Sequence, residues 1–205
     1  MPRQRDGMPQ YRDPGPSDRE RHAASLRSTL ISVGLNTALT IAQFIVGLLA
    51  NSAALVADAI HSLSDLLSDF VVLLANKHSV KGPDDKHPYG HHRFETAASL
   101  AIGVLLIVVG IGMLMQGYPK LTRADSLPPL HQIALYMALF TLVAKELLFR
   151  YLLHVGQRMR STMLVANAWH ARSDAASSLM VAVGIAASLS GFPLADPLAA
   201  LIVGL

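Results

Sequence analysis

The sequence predicts an all-α membrane protein, a bundle of six transmembrane helices whose sixth is incomplete. Three observations predict it. Hydrophobic residues make up 52% of the 205 and charged residues 15%. The apolar residues gather in blocks near the roughly 20-residue length that crosses a hydrocarbon core. Finally, the 17 Lys and Arg crowd alternate connections between those blocks, as the retention of positive charge in the cytoplasm requires.

Residues 1–24 come first, rich in Arg, Asp and Pro. With no apolar run behind its charges this stretch is not a signal peptide, and it reads as a disordered cytoplasmic tail. Its acidic residues alternate with the arginines and aromatics do not interleave, so the formal net charge of +3 does not indicate nucleic-acid binding. The first span follows at about 25–49 and the second at about 53–76, separated by Asn51-Ser52. A polar loop then leads to the third span, about 96–117. The fourth covers about 130–152 and the fifth about 163–189. Asp196-Pro197 reads as the start of a sixth, a capping side chain followed by proline at the first helical position. The eight residues beyond it rise only about 12 Å at 1.5 Å each, against about 30 Å for a full crossing. The expectation is therefore a piece of a longer chain, with residues 25–205 forming one transmembrane domain.

Basic residues orient these spans. Arg3, Arg5, Arg12, Arg19, Arg21 and Arg27 precede or open the first span; Lys77, Lys81, Lys86 and Arg93 follow the second; Lys145, Arg150, Arg158 and Arg160 flank the end of the fourth. The alternate connections hold only Lys120 and Arg123. The N-terminus and the loops at about 77–95 and 153–162 are thus expected in the cytoplasm, the inner membrane being the location in a bacterium. Lys145, Glu146 and Arg150 read as topology anchors at the cytoplasmic end of the fourth span, with Lys145 snorkelling to the interface.

Chemistry concentrates in one phrase that occurs twice, His61-Ser-Leu-Ser-Asp65 in the second span and His170-Ala-Arg-Ser-Asp174 in the fifth. A four-residue spacing sets each His and Asp on one helical face, roughly 5–6 Å apart. Asp58 and Asp69 lie on the same stripe as the first pair, Asn167 and Ser177 on that of the second. Since an Asp at the centre of a membrane helix costs about 2.5–3.5 kcal/mol, Asp65 and Asp174 need a partner. The second and fifth spans run in opposite directions. Their antiparallel arrangement therefore brings His61 to the level of Asp174, and Asp65 to the level of His170. Two imidazoles and two carboxylates form a tetrahedral N/O set suited to Zn²⁺; imidazole also suits iron, cobalt and related metals. Ligand histidines must be neutral and carboxylates ionised, so protons compete with the metal, and a site open to each side in turn would transport. The absence of cysteine excludes thiolate ligands and nucleophiles. A second polar cluster, Asp84, His87, His91 and His92 in the loop after span two, reads either as solvated side chains or as a further metal site. Arg172 lies off the metal stripe, with Asp69 or Asp58 as possible partners.

Ala57-Asp-Ala-Ile-His-Ser-Leu-Ser-Asp65, Asp84-Asp-Lys-His-Pro-Tyr-Gly-His91 and Trp169-His-Ala-Arg-Ser-Asp174, in that order and spacing, resemble the cation diffusion facilitator family over about residues 25–205. The resemblance implies a six-span, N-in homodimer in the lipid bilayer that exports Zn²⁺ or a related divalent metal (Fe²⁺, Co²⁺, Cd²⁺, Mn²⁺) in exchange for protons. It carries the transport site over to His61, Asp65, His170 and Asp174. It also selects the metal reading for the loop, at Asp84, His87 and His91. In bacterial iron/zinc-type members the span-two motif often opens with Asp, so His61 is the zinc-type choice. Many members carry a cytoplasmic C-terminal domain that these 205 residues do not include. A transporter rather than an enzyme is expected, because four matched ligands leave no open catalytic position. A metal-binding sensor or scaffold without transport is the alternative, and a membrane metalloenzyme the more remote one.

Overall fold

The computed structural model describes residues 17–79, 93–122 and 129–204. They form six helices: α1 Asp18–Leu49, α2 Ala53–Ser79, α3 Arg93–Thr122, α4 Ile133–Arg158, α5 Thr162–Leu189 and α6 Ala195–Gly204. Each apolar block becomes one helix. Several extend beyond their block, because a helix continues wherever its ends are capped. At α1, Ser17 and Glu20 form a reciprocal capping box, Ser17 N donating to Glu20 Oε2 at 2.8 Å, so the helix starts at Asp18 rather than near residue 25. Over its length α1 rises about 48 Å, and its first turns therefore extend past the roughly 30 Å hydrocarbon core. Among the described residues, Arg19–Leu49 alone meets a length-and-hydropathy test for crossing a membrane; α2, α4 and α5 carry the ionisable residues that lower theirs.

The links are short and alike. α1 ends where Asn51 takes a left-handed φ of 57°, a conformation Asn tolerates, and Ser52 N donates back to Gly47 O at 3.0 Å. α4 ends the same way, with Arg160 at φ 51° and Ser161 N bonded to Gly156 O at 2.9 Å. Both follow the Schellman pattern of helix termination.

Small residues let the helices approach. Ala50, Ala54, Leu55, Ala134, Ala138, Val181, Ile185 and Ala199 form one buried cluster joining α1, α2, α4, α5 and α6, while Leu148, Phe149, Leu152, Ala168 and Ala171 form a second between α4 and α5. Large apolar side chains point outward instead: Leu30, Leu49 and Leu100 are 72%, 73% and 70% exposed. A surface this apolar suits lipid, not water.

The expected helix start at Asp196-Pro197 falls within one residue of the observed one, yet Asp196 serves a different helix. Its buried carboxylate accepts from Ser52 Oγ at 2.6 Å and from Ala53 N at 2.7 Å. It thereby satisfies the free N–H groups that open α2.

Candidate metal centre

α2 and α5 cross with the two polar phrases facing one another, and α1 and α4 pack around them. One oxygen of Asp65, one nitrogen of His170 and one oxygen of Asp174 lie within 4.8 Å of one another. A tetrahedral ion with bonds of about 2.1 Å sets its ligand atoms about 3.4 Å apart, so small rotamer changes would close the trio around one. His61 is not part of that group. It sits one turn, about 5.4 Å, nearer the α1–α2 link, and its Nε2 lies 3.7 Å from Asp65 Oδ2. Three of the four expected ligands thus converge, with the fourth held to one of them. His61, Asp65 and Asp174 are half-buried and His170 is exposed.

The trio borders a cavity of about 30 Å³ lined by Ser32, Val33 and Asn36 of α1, Ser62 and Leu66 of α2, and Asn167 and Ala171 of α5. A water needs about 10–15 Å³ of such space, so the cavity suits a small ion and its water. The α1 residues escaped the sequence reading, which treated α1 as a plain apolar span. The signal was present: Ser28, Ser32, Asn36, Thr40 and Gln43 recur at helical spacing on one face, and Ser28, Ser32, Thr40 and Gln43 are buried.

Lys145 corrects an expectation. It is not an interfacial anchor but is only 3% exposed, with its Nζ 3.6 Å from Asp58 Oδ2 and donating to Ser62 Oγ at 3.3 Å. Asp58, fully buried, also accepts from Gln43 Nε2 and from Ser178 Oγ, the latter at 3.0 Å. Lys145 is drawn inward because an unpaired buried carboxylate is costly. Its side chain leans toward the N-terminus of α4, where Asp58 lies. Glu146 and Arg150 form the surface i,i+4 pair that their spacing predicts, at 2.8 Å. Arg172 does not pair with Asp58 in the described contacts: its guanidinium stacks on Phe149 and Trp169, 5.0 and 5.2 Å from the ring centres, a cation–π arrangement. The Asp69 side chain lies outside the described residues, as do Asp84, His87, His91 and His92 of the loop.

With the geometry established, comparison with known proteins adds a second line. The model of the cation efflux transmembrane domain matches residues 29–205. Magnetosome protein MamB of Magnetospira sp. (strain QH-2) is 36% identical over 171 residues, covering 83% of this chain and 58% of that protein. Manganese efflux system protein MneP of Bacillus subtilis (strain 168) is 31% identical, with 84% and 57% covered. Metal tolerance protein C1 of Arabidopsis thaliana is 32% identical, with 97% and 44% covered. The chain spans about half the length of these curated relatives.

Proposed function

This chain belongs to the cation efflux family, and from that premise we propose that it carries a divalent metal ion, Zn²⁺ foremost, out of the cytoplasm in exchange for protons. The convergence of Asp65, His170 and Asp174 within 4.8 Å is the observation that carries this reading. Two carboxylates near each other in a membrane repel strongly unless a cation or protons neutralise them. A metal does so with His61 as the fourth ligand once its ring swings from Asp65. Protons do so in its absence. Both compete for the same atoms, so metal leaving on one side is replaced by protons taken from that side. The proposal extends to the loop, where Asp84, His87 and His91 hold a second cytoplasmic metal, and to a homodimer with its N-terminus in the cytoplasm.

Manganese or ferrous iron is the second reading. The amides of Asn36 and Asn167 border the site, adding oxygen donors that suit harder ions, and one relative is named for manganese efflux.

Inside-out vesicles offered Zn²⁺, Mn²⁺, Fe²⁺ and Cd²⁺ separately test both. Zn²⁺ uptake driven by an outward proton gradient is expected, lost in Asp174→Ala and in His61→Ala and retained in His154→Ala. Uptake surviving Asp174→Ala would remove the site; flux indifferent to the gradient would remove antiport.

A further inference from the structure

The two helix pairs that meet at the site are copies of one another. From Val46 to Ser68, eleven of 23 positions hold the same residue 109 places further on, from Val155 to Ser177, with no gap (61 to 170, 65 to 174). Backbone and packing repeat as well. Besides their matching left-handed links, Gly47 and Gly156 each press on a valine, and an added Cβ would meet Val56 N and Val165 N, both at 3.0 Å. Their orientation is opposite. Asn51 Nδ2 donates to Pro129 O at 3.4 Å and His131 N to Ala50 O at 3.1 Å, so α4 begins beside the α1–α2 link. The α4–α5 link therefore lies at the other end of the bundle. Inverted hairpins around a central ion site are the architecture from which alternating access is built.

The copies differ where the difference has consequences. At the same 109-residue offset, Asp58 corresponds to Asn167 and Lys145 to Asn36. Asp58 and Lys145 are buried and joined, at 3.6 Å. Their counterparts line the cavity beside the metal trio, and Asn36 Oδ1 is buried without a hydrogen-bond partner. One end of the pathway is bridged by an ion pair, and the equivalent place at the other end holds a cavity of about 30 Å³ bordered by amides.

We infer that Asp58–Lys145 is the outer gate, closed in this structure, and Asn36–Asn167 the cytoplasmic gate, open in it. The inference rests on the transport reading above. Exchanging the conformations of the two hairpins would part Asp58 from Lys145 and bring Asn36 against Asn167, satisfying the free amide oxygen. A charged, multiply hydrogen-bonded pair holds more strongly than a pair of amides, so the resting protein faces the cytoplasm, where the metal is taken up. In the Zn²⁺ reading these four residues position the helices rather than ligate the metal.

The chain has no cysteine, which makes a sidedness test clean. Leu66→Cys places one thiol on the cavity wall, and a membrane-impermeant thiol reagent is applied from each side. The parent should label from the cytoplasmic side. Moving the ion pair to the other end, with Asn36→Lys and Asn167→Asp added to Asp58→Asn and Lys145→Asn, should reverse the sidedness. External labelling should rise about tenfold or more, since a minor state is at most about 10% populated. Asn36→Lys with Asn167→Asp alone, which leaves the outer pair intact, should slow cytoplasmic labelling, a gain of closure that misfolding does not produce. External labelling of the parent, or unchanged sidedness in both variants, overturns the gates. Labelling needs no metal: reversed sidedness without metal flux would sink the transport reading alone, and flux with unchanged sidedness the gates alone.

Discussion

Asp58 receives its donors on one carboxylate oxygen and leaves the other, Oδ1, without a partner. Such a group depends heavily on Lys145. Removing one member of a buried pair strands the other and costs about 3–5 kcal/mol, whereas replacing both costs far less. Lys145→Met is therefore expected to lower the thermal midpoint in detergent much more than Asp58→Asn with Lys145→Met together, and equal losses would show that the two are not coupled. The proposed ligands obey a different rule, since protons compete with the metal for their atoms. Metal affinity should therefore fall on acidification, and isothermal titration at about pH 5.5 and about pH 8 measures this. At this scale the sequence was legible where like residues share a helix: the His–Asp spacing alone points to both helices of the candidate site, though His61 stays outside the trio. Lys145–Asp58 was not, because 87 residues separate them (58 to 145) and only the packing of α2 on α4 brings them together. Lys145 lies beside Glu146 and one turn before Arg150, company that marks an interface in most spans and here conceals an inward-facing cation.

Elements meet through missing side chains as much as through present ones. Gly184 of α5 approaches α6 so closely that an added Cβ would lie 2.4 Å from Ala199 Cβ and 3.1 Å from Ala195 O. Neither atom can rotate away. Gly184→Ala should destabilise the bundle by about 1–3 kcal/mol, read as a lower unfolding midpoint, while Gly34→Ala, with nothing within 4 Å of the added carbon, should not. α6 also contributes Asp196, whose carboxylate caps α2. Asp196→Ala leaves those N–H groups without a partner and should cost about 0.5–2 kcal/mol, partly restored by Asn at the same position. Spans are readable from hydropathy because lipid imposes one length on all of them. Caps are less so: Asp196-Pro197 carries a helix-start pattern, but which helix the carboxylate serves is decided by how α6 lies against the α1–α2 link.

The whole molecule is a duplicated hairpin set against its inverted copy, with α3 and α6 packed beside it. A device of that kind should move as two bodies, with the ends of the bundle changing in opposite senses. Leu49 and Ile133 are exposed at the end bearing the α1–α2 link, and Leu30 and Arg158 toward the other. Spin labels on Leu49→Cys with Ile133→Cys, and separately on Leu30→Cys with Arg158→Cys, report the two ends without interference from native thiols, of which there are none. If the Asp58–Lys145 end opens as the Asn36–Asn167 end closes, the first distance is longer by more than about 2 Å and the second shorter in metal-loaded protein than in metal-free protein. Two distances that change together would indicate swelling of the bundle, and two that stay fixed would indicate a rigid binding site. Either result is incompatible with hairpins that rock about the trio, because rigid bodies pivoting on a central ion must approach at one end as they separate at the other.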